Sequence, residues 1–463
     1  MNTRVIRCLA CPILSALIYV CFSLKDGITG SVMGYAASFL PYLWLIFSLN
    51  KTSLKELTQH QLLSSLAIAG SLLLLTAPIL SEDIFRYVWD GFNFASGTNP
   101  YCDAPSSTAL DHFSMTHNLD AIRGSIGHAQ LPTIYPPLAQ AVFAVSSFFS
   151  PSTIPIRLLG LLAIMCSALL LFRLLKSSDI NPSFALIFAF NPLVLVEVCV
   201  SGHVDIFGVM FVLGALRMAQ VGRHSFSALM VACAVLTKLI PILILPIVLQ
   251  RRWKQWGICL AVLSTVYLLF SLSECSPLGS LSTFSGKWRH NAGTFGILHW
   301  LFEQASTNIE SFSSTSHILA RWLTGNSQIN SPHLVAMLST KLMCLGLILA
   351  FFLWLRRTDW TMEVKVFSLF GFFFVVSPVV HPWYLMWVLP LLPYLWSLNR
   401  LAAAAPLVWW SLSSLVAYNA RIELLTHGQW HTPVELLWLE YGGLLCLCIS
   451  SLWLWFRTRP RAQ

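Results

Sequence analysis

The sequence predicts an all-α membrane protein, a polytopic bundle of about 12 crossings (roughly 10–13) with long outer loops carrying interfacial helices and one or two re-entrant or broken helices. Three observations carry that prediction. Only 10% of the 463 residues are charged and 56% are hydrophobic, whereas ordinary soluble domains carry about 25% charged residues. Mean hydropathy is +0.70. Apolar runs of roughly 17–25 residues recur along the chain, each long enough to cross a hydrocarbon core of about 30 Å.

The formal charge of +9 does not point to nucleic acid. Basic residues sit in short clusters between apolar runs: Arg4 and Arg7, Lys51 and Lys55, Arg251 to Lys254, Arg356 and Arg357, and Arg457 to Arg461. That is the pattern of cytoplasmic loops, and it places both termini inside. No small-residue cleavage site clearly follows the first run, so it is expected to be a retained helix. No periodic repeat or soluble domain stands out, and residues 1–463 are expected to form one membrane domain. Cys8 and Cys11 have CxxC spacing without a second pair or a histidine cluster, so no metal or redox chemistry is expected from them. Cys102 and Cys275 both fall in outer segments. A bond between them is chemically open but is not the expectation.

Charge asymmetry orients the elements in order. Residues 8–24 run outward, 32–49 return, and 61–80 run outward again. A first outer loop follows at 81–134. The short proline-bounded run at 135–150 has both ends outside, which predicts a re-entrant or interfacial segment. Residues 156–175 go inward, 182–200 cross to "SGHVD", and 206–219 return. Both flanks of 225–249 are basic although one crossing would separate them. Pro241 and Pro246 can break that helix, and Lys238 lies near the break. Broken backbone at membrane depth survives only inside protein or along a cavity. After a crossing at 256–273, a second outer loop spans 274–332, and the remaining crossings leave "SPVVHPWY" outside.

Polar islands gather on the outer side. In "SEDIFRYVWDGFNF" a helix from Glu82 to Phe94 would set Asp83, Arg86 and Asp90 on one face. The opposite apolar face, with Ile84, Phe85, Val88 and Phe92, suits a helix lying in the membrane interface. Ser81 as N-cap and two acids in the first turn offer a simpler account of Glu82. Tyr135 begins "IYPPLAQ", where a proline-broken helix start is the plainer explanation. His203 and Asp205 end a crossing in "SGHVD". Lys238 either serves a site or snorkels to the surface. "KWRHN" contributes Trp288, Arg289 and Asn291, which an ordinary solvated loop would also explain. "SPVVHPWY" contributes His381 and Tyr384, which suit an aromatic belt as well. Their agreement on one side of a nearly uncharged bundle predicts a shared cavity.

At these residues the sequence resembles the polyprenol-phosphate-sugar-dependent membrane glycosyltransferases of the GT-C superfamily, especially the bacterial mannosyltransferases grouped as family 87 or DUF2029. The matching pieces are "EDIFRYVWDGFNFASGTNPY", "YPPLAQAVFA", "NPLVLVEVCVSGHVD", "LTKLIPILILP", "KWRHNAGTFG" and "SPVVHPWYLMWVLP", in order over roughly residues 76–398. The resemblance implies inverting transfer of a hexose, mannose above others, from a polyprenyl-phosphate donor to an acceptor hydroxyl at the outer face of the bacterial inner membrane. By the same resemblance Asp83 would be the catalytic base with Glu82 beside it, and His381 would lie near the reacting sugar or phosphate. "GHVD" carries Val where Asn is common in the family.

The residues suit that chemistry. Transfer to a hydroxyl needs one general base, a contribution of about 10²–10⁴ in rate, and Asp83 can supply it. Cations must offset charge on the departing phosphate, and Arg86, Lys238, Arg289 and His381 can do so. His203, Asp205 and Tyr384 are expected to help bind the donor, with Asp90, Tyr135, Trp288 and Asn291 in support. The expected partners are the lipid-linked donor, a glycan or lipid acceptor and membrane lipids, with no nucleic acid. No cofactor is expected; a divalent metal is compatible with the carboxylates, but nothing indicates one. A transporter or flippase of lipid-linked sugars is the alternative from another class, and it would show internal repeats and polar groups at the midplane. An oligosaccharide ligase or polymerase would differ mainly in donor size.

Overall fold

A computed structural model describes residues 3–51, 57–272, 275–308 and 332–458. Lys55, most of the later part of the second outer loop (309–331) and the tail beyond Thr458 lie outside the described residues, as do the side chains of Lys287 and Arg457. The described residues are helical, without strands, and the all-α expectation holds.

Helix α1 spans Thr3–Ser23, α2 Gly27–Ala37, α3 Phe39–Lys51, α4 Gln59–Leu74, α5 Asp83–Ala95 and α6 Pro137–Ser147. Helix α7 spans Ile154–Ser177, α8 Pro192–Cys199, α9 Asp205–Gln220, α10 His224–Thr237 and α11 Trp253–Ser271. Helix α12 spans Gly293–Asn308, α13 Pro332–Arg357, α14 Met362–Val375, α15 Leu392–Ser413 and α16 Gly443–Thr458. Among the described residues seven helices are long and apolar enough to cross a membrane, or eight with one bent pair. The expected count of about 12 is therefore not confirmed. Hydropathy counts apolar runs, but α4 and α9 hold only 16 helical residues and α10 and α14 only 14, below the ~20 that a crossing needs.

Local chemistry explains the interruptions. The run at 182–200 is not straight; Pro182–Ala189 and Pro192–Cys199 meet at 54°. Asn191 stops the first piece and caps the second, its Oδ1 accepting the Leu193 N–H at 2.9 Å. Pro192 sits at the first helical position, where its missing N–H costs nothing. The break expected in 225–249 falls at Lys238, which is extended at φ −155° and ψ 142° ahead of a 3₁₀ turn at Ile240–Ile244. Helix α6, with 11 residues, is about 16 Å long and too short to span, as the re-entrant expectation required.

The core centres on α8 and its neighbours, where Ala185–Phe190 and Pro192–Cys199 are wholly buried. By contrast α11 and α13 leave Leu260, Leu268, Leu345 and Leu349 exposed, which suits a surface against lipid tails. Helix α5 differs from the expectation. Its apolar face does not rest on the membrane interface, because Val88 and Trp89 are buried with Leu110, Leu119 and Ile126 of the first outer loop. Its other side packs on α6, where a side chain at Gly91 would strike the Phe143 carbonyl.

Cys102 and Cys275 are bonded, contrary to expectation, and tie the first outer loop to the start of the second. Sequence spacing carried no sign of this, because the cysteines stand 173 residues apart and only the fold brings them together. Cys102→Ser is expected to cost about 2–4 kcal/mol, the usual range for a native disulfide. Unfolding in detergent with and without reductant measures it; equal stability of variant and parent under oxidising conditions would refute the structural role.

Candidate active site

Six segments surround a cavity of about 900 Å³ whose wall carries Asp83, Arg86, Lys238, Arg289, His381 and Tyr384. All six were expected at a shared site, and the fold brings them together. Apolar side chains, including Leu239, Ile240, Phe373 and Phe374, line another part of the same wall.

Asp83 opens α5, with the Ser81 hydroxyl accepting its backbone N–H at 3.3 Å. Its side chain keeps 39% of its surface open, and that surface faces the cavity. Burial pushes its carboxyl above the usual carboxylate range, opposed by Lys238, a hydrogen bond from Tyr135, and Arg86. Glu82 is differently placed: its Oε1 accepts from Arg421 Nη1 at 2.9 Å, while Arg421 Nε holds the Ile79 carbonyl at 3.1 Å. The two side chains are equally exposed, 38% for Glu82 and 39% for Asp83, and both line the cavity, but it is Glu82 that is tied up in an arginine ion pair. Arg86 lines the wall but donates from Nη2 to the carbonyls of His128 and Leu131, at 3.1 and 2.9 Å. It fixes the outer loop over the site. Asp90, one turn further, lies 3.9 Å from Arg86 and is buried behind the wall, accepting from Gln140 at 3.4 Å.

His203 and Asp205 stand behind the cavity wall, both fully buried. His203 Nδ1 lies 3.9 Å from Asp83 Oδ2, and Nε2 lies 3.4 Å from Glu197 Oε2. Asp205 Oδ1 accepts from Lys238 Nζ at 2.6 Å and from Trp387 Nε1 at 2.7 Å. Gly208 makes room for that indole, since any side chain there would overlap the Trp387 ring. Lys238 Nζ also lies 4.3 Å from the centre of the Tyr384 ring, a cation–π contact.

The Trp383 ring is stacked between two imidazoles, 3.7 Å from His203 and 4.2 Å from His381. His290 lies 4.7 Å beyond His381. Its backbone pairs with the 378–380 segment, donating to Pro378 and accepting from Val380. Burial drives both His203 and His381 well below the usual imidazole range, and Lys238 adds to this. His381 is therefore neutral near pH 7, a hydrogen-bonding group rather than the cation expected of it. The positive charges facing the cavity belong to Lys238, Arg289, Arg86 and Arg421. Tyr135 lines the cavity and packs edge-on to Tyr87. Trp288 lines it too, 4.5 Å from the His128 ring. Asn291 turns away, donating to Glu440 at 2.9 Å.

Four participants escaped the sequence reading. Glu197 accepts from the hydroxyls of Tyr35 and Tyr418 at 2.9 and 2.7 Å. Its signal was a carboxylate alone in the apolar run "PLVLVEVCV". Trp383 lay in plain view inside "HPWY", and His290 inside "KWRHN". Arg421 signalled itself as a lone basic residue after an outward run.

Lys238→Met would leave Asp205 buried without its cation, which is expected to cost about 3–5 kcal/mol. Adding Asp205→Asn should recover part of that loss. A double-mutant cycle of unfolding free energies tests it, and strictly additive losses would refute the coupling.

Residues 14–253 match the family model of the MptA_B family, described as alpha-(1->6)-mannopyranosyltransferase, N-terminal domain. No curated protein matches the chain.

Proposed function

The chain belongs to this alpha-(1->6)-mannopyranosyltransferase family, an integral-membrane glycosyltransferase of the GT-C type, and from that premise we propose that it transfers mannose with inversion from a polyprenyl-phosphate donor. Membership sets the transporter and flippase alternative aside. The observation that supports the mechanism is the cavity-facing carboxylate of Asp83, not ion-paired to an arginine as its neighbour Glu82 is, on a wall that also bears Lys238.

In the proposed reaction Asp83 accepts the proton of the acceptor hydroxyl as that oxygen attacks the anomeric carbon. The bond from that carbon to the phosphate oxygen breaks, and its electron pair leaves with the polyprenyl phosphate. Lys238 and Arg289 offset the added negative charge. An α-linked product formed with inversion requires a β-linked donor. Burial raises the basicity of Asp83, and Lys238 opposes part of that rise. His203, neutral, fills the space between Asp83 and Glu197 behind the base. Leu239, Ile240, Phe373 and Phe374 supply an apolar wall for the first isoprene units.

The reaction is assigned to the outer side of a bacterial inner membrane, with both termini cytoplasmic. The charge pattern of the loops supports that orientation. So does the Cys102–Cys275 bond, which belongs to an oxidising compartment.

Asp83→Asn should lower kcat by about 10²–10⁴ with donor affinity little changed. Purified enzyme with polyprenyl-phosphate mannose measures it, and full activity in the variant would sink the assignment. Because the base must be deprotonated, kcat should fall as pH drops through the Asp83 pKa, with a midpoint above the ordinary aspartate value of 3.8. Glu82→Gln should leave that midpoint in place; its disappearance would move the base to Glu82.

A further inference from the structure

Away from the carboxylate site, α12 and α13 bring together His299, Glu303 and His333. His299 and Glu303 are one turn apart on α12 and share a face. His333 stands in the first turn of α13, across the segment 309–331. One ligand atom from each of the three lies within 4.8 Å of the other two. His333 Nδ1 is 3.1 Å from Glu303 Oε1, and the His299 and His333 rings meet edge-on at 4.9 Å.

An ordinary surface ion pair accounts for Glu303 and His333, both of which reach solvent. It does not account for His299. That side chain is 3% exposed, and neither of its ring nitrogens closes a hydrogen bond, an uncommon state for a buried imidazole. Its ring packs against Phe295 on one side and is turned toward the other two ligands. The Ala336 backbone lies within loose hydrogen-bonding reach of it, short of the geometry of a closed bond. A histidine that binds a metal through one nitrogen commonly donates the other N–H to such a carbonyl.

We propose that His299, Glu303 and His333 bind a divalent transition-metal ion of the zinc class, clamping α12 to the outer end of α13. Two imidazoles and one carboxylate suit zinc and disfavour magnesium or calcium, which take oxygen ligands. Ligands about 2.1 Å from a tetrahedral zinc stand about 3.4 Å from one another. Side-chain rotation must therefore draw the three atoms inward, and water completes the coordination. The site is structural in this assignment and independent of the proposed glycosyl transfer. Together with the disulfide it gives the second outer loop two anchors, at Cys275 before α12 and at α12 itself.

The test uses full-length protein in detergent, purified without a polyhistidine tag and stripped with chelator. Zinc titrated by calorimetry should bind at one equivalent per chain and raise the unfolding midpoint. Cobalt in its place should show the absorption bands of a tetrahedral nitrogen and oxygen set. His299→Ala and His333→Ala should each weaken zinc binding by at least about 10–100-fold, the loss that even an outer-shell change brings. The exposed His333 makes the second variant safe for folding, and size-exclusion profiles check both. Asp83→Asn should bind zinc like the parent. Absence of saturable zinc binding, binding unchanged in His333→Ala, or binding lost in Asp83→Asn would each overturn the proposal.

Discussion

Asp205 is the joint on which the site depends. It is wholly buried, and one of its oxygens takes both the Lys238 ammonium and the Trp387 indole. An ionised carboxylate in a bundle this apolar is tolerated only when its partners are in place. Three segments remote in sequence are thereby forced to one point: the N-terminus of α9, the break after α10, and the 3₁₀ turn at Pro382–Trp387. Helix α9 helps, because its N-terminal dipole favours a negative charge at its first residue. Once that point is set, Tyr384 lies under Lys238 and Trp383 takes its place between the two histidines. The cavity wall follows from the joint.

A second buried charge ties helix ends together behind the site. Arg157, near the start of α7, donates to the carbonyls of Leu73, Thr76 and Cys199 at 2.7–2.9 Å. These carbonyls belong to the C-terminal ends of α4 and α8, where backbone acceptors lack helical partners and carry partial negative charge. Holding both ends with one guanidinium brings the start of α5 beside the turn that carries His203. Gly202 completes the turn at φ 74°, a region costly for other residues. A side chain there would also strike Ile84. Asp83 meets His203 because α4 and α8 end together.

Burial also divides the labour among the charged groups. Deep imidazoles lose their protons, because desolvation and Lys238 both act against a second positive charge. The positive field is carried by the lysine and arginine side chains that reach the cavity. Two carboxylates adjacent in sequence take different fates for the same reason. Glu82 finds Arg421, whereas Asp83 is left facing the cavity under the influence of Lys238 and Tyr135.

The sequence by itself determined the membrane class, the broken helix near Lys238, and the shared face of Asp83, Arg86 and Asp90; the bend at Asn191 within 182–200 was not read from it. Each of the three follows from local rules: apolar content over one segment, prolines near one position, and helical spacing within two turns. Crossing number was less legible, because apolar content does not report how many consecutive residues stay helical. Tertiary structure alone decided which side chains are open and which are committed. Glu82 is held by Arg421 from 339 residues away, Asn291 by Glu440 from 149, and Cys102 by Cys275 from 173. Such pairings are set by how whole helices pack, a global energy balance that no short window of sequence contains.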